Sequence, residues 1–165
     1  MLKPTLIATL AVLSAAAEPP TPGRPAPAFE AQDQHGKRIR LSDYKGRNHV
    51  VLYFYPKDDT PGCTAQACSL RDSHGEILAT GSVVLGVSAD DSASHAAFAA
   101  KYHLPFSLLA DPDRKLIEAY GVKSMIGLAK RWTFVIDKQG TLRHVVTDVK
   151  AKEHDKQVLA LLKTL

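Results

Sequence analysis

Val50 to Asp72 reads VVLYFYPKDDTPGCTAQACSLRD and holds both cysteines of the 165-residue chain, Cys63 and Cys68. Val50 to Tyr55 is an unbroken β-branched, aliphatic and aromatic run that Pro56 stops. It does not alternate with polar residues, so it predicts a strand covered on both faces. Asp58-Asp59-Thr60-Pro61-Gly62 then predicts a turn that launches a helix. Thr60 is a residue type that caps helices, and Pro61 suits the first helical position, where its missing N–H does no harm. Cys63 therefore falls in the first helical turn, where free backbone N–H groups and the helix dipole favour an anion. A thiol there ionises more readily than a free one and becomes a nucleophile.

The distance to the second cysteine carries information. Residues five apart on a regular α-helix have Cα atoms roughly 8.5–9 Å apart. A disulfide needs them closer than about 7 Å. Cys63 and Cys68 cannot bond while the helix is intact, so a bond between them requires the first turns to unwind. Such a bond fits a catalytic state better than a structural staple.

These residues resemble the peroxiredoxins. The family signature Pro-x3-Thr-x2-Cys is matched by Pro56, Thr60 and Cys63, and the spacing to Cys68, with Arg71-Asp72 after it, resembles the peroxiredoxin Q or bacterioferritin comigratory protein branch. That branch usually carries Glu three residues after the reactive cysteine, where this chain has Gln66, and often Phe where it has Leu70. A second family pattern, Arg-x-Ser/Thr-Phe-x-Ile-Asp, is matched by Arg131, Thr133, Phe134, Ile136 and Asp137. The resemblance covers about residues 24–164. It implies an α/β, thioredoxin-like fold with a mixed central sheet flanked by helices and an extra N-terminal hairpin. It also implies a thiol-dependent peroxidase acting on hydrogen peroxide and organic hydroperoxides.

In that reading Cys63 attacks the peroxide and becomes a sulfenic acid, and Cys68 resolves it as an intramolecular disulfide. Thr60 accepts a hydrogen bond from the peroxide. Arg131 holds the thiolate and polarises the oxygens through its fixed, always charged fork. Pro56 shapes the turn and shields the sulfur from water. A thioredoxin-like dithiol completes the cycle, with no haem, flavin or metal required. A resolving cysteine within the chain removes the need for a dimer, so a monomer is expected.

The N-terminus reads separately. Lys3, the apolar run Thr5 to Leu13 and Ala15-Ala16-Ala17 have the layout of a short secretory signal over residues 1–17, cleaved after Ala17. The run is too short to span a bilayer as an ordinary helix. The expected location is periplasmic or secreted, with the cytoplasm as the alternative. Residues 18–27, with prolines at 19, 20, 22, 25 and 27, predict an extended linker, and residues 28–165 a single domain.

Charge excludes one class of function. The chain has 21 basic and 17 acidic residues, a net charge of +4, with the basic residues scattered. A nucleic-acid binder would concentrate them in a stripe. The histidines, at 35, 49, 74, 95, 103, 144 and 154, show no zinc-ligand spacing with one another or with the cysteines. Asp58 and Asp59 lie in a turn and are expected to be solvated. Met125, Ile126 and Leu128 lie in the loop leading into Arg131, which makes them candidates for the substrate mouth, but packing is the commoner role for such residues and they are left out of the site.

The remaining elements alternate. Phe29–Ala31 and Arg38–Leu41 predict a hairpin, and Leu41–Gly46 a helical turn. Gly75 marks or bends the cysteine helix. Ser82–Ser88 is a second buried strand. Asp91 or Ser92 caps a helix with the stripe Ala96, Phe98, Ala99 and Tyr102. Phe106–Asp111 is a strand, Leu116–Tyr120 a short helix, and 122–130 a loop. Trp132–Asp137 and Leu142–Val149 form a hairpin, and Lys152–Thr164 an amphipathic helix. Two other functions compete. A protein dithiol–disulfide oxidoreductase needs C-x-x-C at the helix start, and the spacing here is C-x4-C. A non-catalytic exported domain needs an inert cysteine pair.

Overall fold

The computed structural model describes residues 17–165. The signal expected over residues 1–17 lies outside these, Ala17 excepted. Among the described residues, no helix is long and apolar enough to cross a membrane.

The buried run forms strand β3 (His49–Phe54), an interior strand of the sheet. It pairs in parallel with β4 (Ser82–Ser88) and antiparallel with β6 (Thr133–Ile136). β4 continues in parallel to β5 (Ser107–Ala110). The hairpin of β1 (Glu30–Gln32) and β2 (Arg38–Arg40) closes one edge, and β7 (Leu142–Val146) closes the other. The resulting order is β2-β1-β5-β4-β3-β6-β7, a seven-stranded mixed sheet with the expected N-terminal hairpin.

Both faces of β3 are covered, which is why its sequence does not alternate. Val50, Leu52 and Phe54 enter one apolar cluster with Phe134, Tyr120 and Ile117, the last from α4 (Lys115–Ala119). Val51, Tyr53 and Tyr55 enter the other, with Cys63, Ala67 and Leu70 from α1 (Pro61–Asp72). Ile77 from α2 (His74–Ala79), Phe98 from α3 (Ser92–Tyr102) and Val158 from α5 (His154–Leu162) complete that second face. Period two along the strand sends successive side chains to opposite layers.

Four expectations need correction. Gly75 lies inside α2, and the break after the cysteine helix falls at Ser73. On α3 the buried residues are His95 and Phe98, while Ala96 is exposed. A buried histidine replaces an alanine on that face because both of its ring nitrogens find partners there. The loop read as packing presents Met125 and Ile126 to solvent. In the Pro-rich stretch, residues 23–26 are hydrogen-bonded onto the β6–β7 hairpin: Gly23 N–H donates to Leu142 O, Leu142 N–H to Arg24 O, and Ala26 N–H to Gly140 O, at 2.8–2.9 Å.

Candidate active site

β3 delivers the chain to the site. After Tyr55, Pro56 is half-buried, and the turn that follows leads to Thr60, the residue preceding α1. Thr60 occupies the N-cap position without bonding the helix end. Its hydroxyl instead donates to Lys57 O at 2.8 Å. With that proton committed, the oxygen can only accept from a further partner. Pro61 is the first helical residue, so Cys63 lies in the first turn, as the sequence implies. Its side chain is buried, with the residue 1% exposed.

Arg131 comes to the same place from the far side of β3. Phe54 N–H donates to Trp132 O at 2.8 Å, which fixes residue 131 beside the turn leaving β3. The guanidinium then forks. Nη2 donates to Cys63 Sγ at 3.3 Å and Nη1 to Gln66 Oε1 at 2.6 Å. A guanidinium donating to sulfur forms a charge-assisted hydrogen bond. Gly62 leaves that approach uncrowded, since a Cβ there would sit 3.0 Å from Arg131 Nη2. Cys68, the second free thiol, lies on α1 and is partly exposed.

Four of the five residues picked out in the sequence thus lie along one strand exit and helix start: Arg131 is bonded to the Cys63 sulfur, Thr60 is at the N-cap position three residues before it, and Pro56 is at the strand exit. Cys68 stands apart on the same helix. The arrangement brings a guanidinium onto a buried thiol, with a hydroxyl oxygen left free to accept at the helix start, and these are groups that could serve attack on a peroxide O–O bond.

Residues 22–145 match the AhpC/TSA family. The peroxiredoxin Bcp of Bacillus subtilis is 44% identical over 151 residues, covering 87% of this chain and 95% of that protein. The chain belongs to the AhpC/TSA family, in its Bcp and peroxiredoxin Q branch. Its chemistry is that of a thiol peroxidase. Among solved structures, peroxidoxin BcpB from Mycobacterium tuberculosis aligns with a TM-score of 0.81 at 34% identity, covering 87% of this chain and 97% of that one. The bacterioferritin comigratory protein of Xanthomonas campestris aligns at 0.78 and 33%, covering 82% and 90%, and is described as having alkyl peroxide reduction activity.

Sequence reasoning missed three features of this peroxiredoxin site. Gln66, singled out only as a departure from the branch, is fully buried and is the second anchor of Arg131, while its Nε2 has no partner. Gly62 makes room for the guanidinium. The third is Asp58, which was expected to be solvated and is instead buried. Tyr55 Oη donates to its Oδ1 at 2.6 Å, and Ser94 Oγ to its Oδ2 at 2.8 Å. His95 Nδ1 lies 2.8 Å from the same Oδ2. The other ring nitrogen, Nε2, faces Leu109 O at 3.1 Å and must carry a proton, because a carbonyl only accepts.

Asp58, Asp90 and His95 form the one group of metal-ligand type among the described residues. Most of its polar atoms are already engaged: Asp90 Oδ2 accepts from Asp58 N–H at 2.9 Å and from Ser88 Oγ at 2.6 Å. The network fastens the turn carrying Thr60 to β4 and α3. Asp59, next to it, does face solvent, and pairs with Lys101.

A last group lies behind Arg131. His154 is buried at the start of α5, and burial pushes its pKa down to about 4. Gln157 Oε1 accepts from Nδ1 at 3.2 Å, so Nε2 takes the Thr133 hydroxyl at 2.9 Å. The ring is neutral and adds no charge to the site.

Proposed function

We propose that Cys63 is the peroxidatic thiol and Cys68 the resolving one. The Cys63 thiolate attacks one peroxide oxygen, the O–O bond breaks, and the departing oxygen takes a proton to leave as water or an alcohol. Cys63 is left as a sulfenic acid. The Cys68 thiolate then attacks that sulfur, hydroxide leaves with a proton as water, and a Cys63–Cys68 disulfide forms. An external dithiol of the thioredoxin type returns both thiols, accepting the disulfide itself. Arg131 stabilises the thiolate and the charge that builds on the oxygens, Thr60 orients the peroxide by accepting its O–H, and Pro56 holds the turn.

The observation that carries this reading is the 3.3 Å bond from Arg131 Nη2 to a buried sulfur in the first turn of a helix. Mixing reduced protein with stoichiometric hydrogen peroxide should consume both thiols quickly and yield a Cys63–Cys68 link on peptide mapping. Cys63→Ser should abolish turnover, and Cys68→Ser should allow a single oxidation of Cys63. A Cys68→Ser protein that turns over normally with the same reductant would remove Cys68 from the cycle.

The reading extends to small organic hydroperoxides, and to a monomer, which sedimentation of the reduced protein tests. Export through residues 1–17 would require a dithiol reductant outside the cytoplasm. The N-terminal residue of the protein isolated from its own cell decides that question.

A further inference from the structure

Helix α1 must open before its two sulfurs can meet, so whatever fastens it closed governs the second chemical step. One set of fastenings surrounds the nucleophile, where Arg131 grips Cys63 and Gln66. Another joins the helix to α5: Asp155 N–H donates to Ser69 Oγ at 3.3 Å, and Ser73 Oγ to Asp155 Oδ2 at 2.7 Å. The third has an unusual layout. Asp59, just before the N-cap, accepts the Tyr102 hydroxyl at 2.7 Å and Lys101 Nζ at 2.7 and 3.0 Å. At the other end of the helix, Arg71 Nη1 donates to the backbone carbonyl of the same Tyr102 at 2.7 Å.

One residue at the end of α3 therefore bonds the chain on both sides of the cysteine pair, through its hydroxyl and through its carbonyl. Its ring is seated edge-on against Phe98 at 5.5 Å, with the Lys101 ammonium 5.2 Å from its centroid. The Asp59 backbone also needs this support. Its φ is +54°, in the left-handed region that a non-glycine residue adopts at a cost. A turn held there by side-chain bonds relaxes when they are cut.

We propose that Tyr102 is a positioning residue of the resolving step: by tying both ends of α1 to α3 it sets how often the helix opens and how long the Cys63 sulfenic acid waits for Cys68. This rests on the assignment of Cys63 and Cys68 as the peroxidatic and resolving pair. The waiting time has a chemical consequence. A sulfenic acid that meets a second peroxide before Cys68 is oxidised to a sulfinic acid, the peroxide leaving as water or alcohol. The tie lengthens the life of the closed, peroxide-reactive helix and exposes Cys63 to that side reaction.

The test is stopped-flow oxidation of the full-length reduced protein by excess hydrogen peroxide, followed through Trp132, the single tryptophan, which neighbours Arg131. Wild type should give a first phase proportional to peroxide and a second, independent of it, with the Cys63–Cys68 link. In Tyr102→Phe, which keeps the ring against Phe98, the second phase should be about two- to tenfold faster, as loss of an exposed or charge-assisted hydrogen bond allows. The first phase should stay within about twofold of wild type on the same grounds. Sulfinic acid per turnover, read by mass spectrometry, should fall. Arg71→Gln, which cuts the other end of the tie and leaves Tyr102 in place, should move the second phase in the same direction. A purely structural role would slow both phases together or change only the melting temperature. A second phase that is unchanged or slower in both folded variants overturns the proposal. A wild-type protein with no second phase and no Cys63–Cys68 link overturns the cysteine assignment itself, before any variant is compared.

Discussion

Removing Arg131 separates chemistry from support. Arg131→Ala takes away the donor to Cys63 Sγ at 3.3 Å and the donor to Gln66 Oε1 at 2.6 Å. A hydrogen bond to a charged group contributes about 1.5–3 kcal/mol. If the transition state uses all of it, the reaction with peroxide slows by about 10- to 150-fold. The same change also harms the fold. Gln66 is fully buried and its Nε2 is already unpartnered, so losing Arg131 leaves the whole amide unsatisfied. That costs about 1–3 kcal/mol of stability. A slow and destabilised variant would then fit either role.

The double variant Gln66→Leu, Arg131→Ala resolves this. Replacing both partners by apolar groups removes the orphaned amide, so urea unfolding followed by circular dichroism should recover to within about 1 kcal/mol of wild type. The stopped-flow rate constant with hydrogen peroxide should remain as low as in Arg131→Ala. A double variant that regains both stability and a rate within about threefold of wild type would refute the reasoning, because Arg131 would then act only by keeping Gln66 satisfied.

Gly62→Ala tests the same fork by crowding. Its Cβ would lie 3.0 Å from Arg131 Nη2, so the guanidinium must shift by a few tenths of an ångström. Stability should hold or rise by up to about 1 kcal/mol from better helix propensity, while the peroxide rate falls by about threefold or more; an unchanged rate would mean that the fork yields without consequence. Acid should weaken the fold through His154, whose pKa burial pushes down to about 4. The unfolded histidine binds its proton near pH 6.5 and the folded one does not, so stability is full above that pH. It should fall by about 3 kcal/mol on going from pH 6.5 to pH 4, then level off. Urea midpoints against pH should show this loss in wild type and not in His154→Gln, and parallel curves would remove His154 as the cause.

Much of the site was legible because its pieces are local. Pro56, Thr60 and Cys63 lie within one strand exit and one helical turn, where residue type and spacing decide geometry. β3 announced itself because a strand covered on both faces has no reason to alternate. Arg131 came only through the family pattern, since residue type alone would make it an ordinary charge entering a strand. Contacts between distant segments were hidden. Asp58 reads as a turn carboxylate until α3 brings Ser94 and His95 over it, some forty positions later. Gln66 reads as a polar helix residue until β6 delivers Arg131 to its amide. Gly62 reads as turn punctuation, and its role is visible only as the space that a guanidinium fills.

The helix that carries the nucleophile is weakly anchored for its position in the fold. Its buried residues are Cys63, Gln66, Ala67, Ser69 and Leu70, so only Ala67 and Leu70 contribute aliphatic burial besides the reactive cysteine. A helix of 12 residues is marginal on its own in water and depends on tertiary contacts. Here much of that support is polar: Arg131 from the strand side, Asp155 from α5, and Tyr102 from α3. The Tyr102 hydroxyl tie is exposed and yields at small free-energy cost, the part-buried Arg131 bonds cost more to break, and a large apolar face would have to be exposed before the chain could move. The composition of α1 thus suits both the geometry seen and the chemistry proposed. It holds a sulfur 3.3 Å from a guanidinium, and its aliphatic burial is small enough to allow the unwinding that the proposed Cys63–Cys68 disulfide requires.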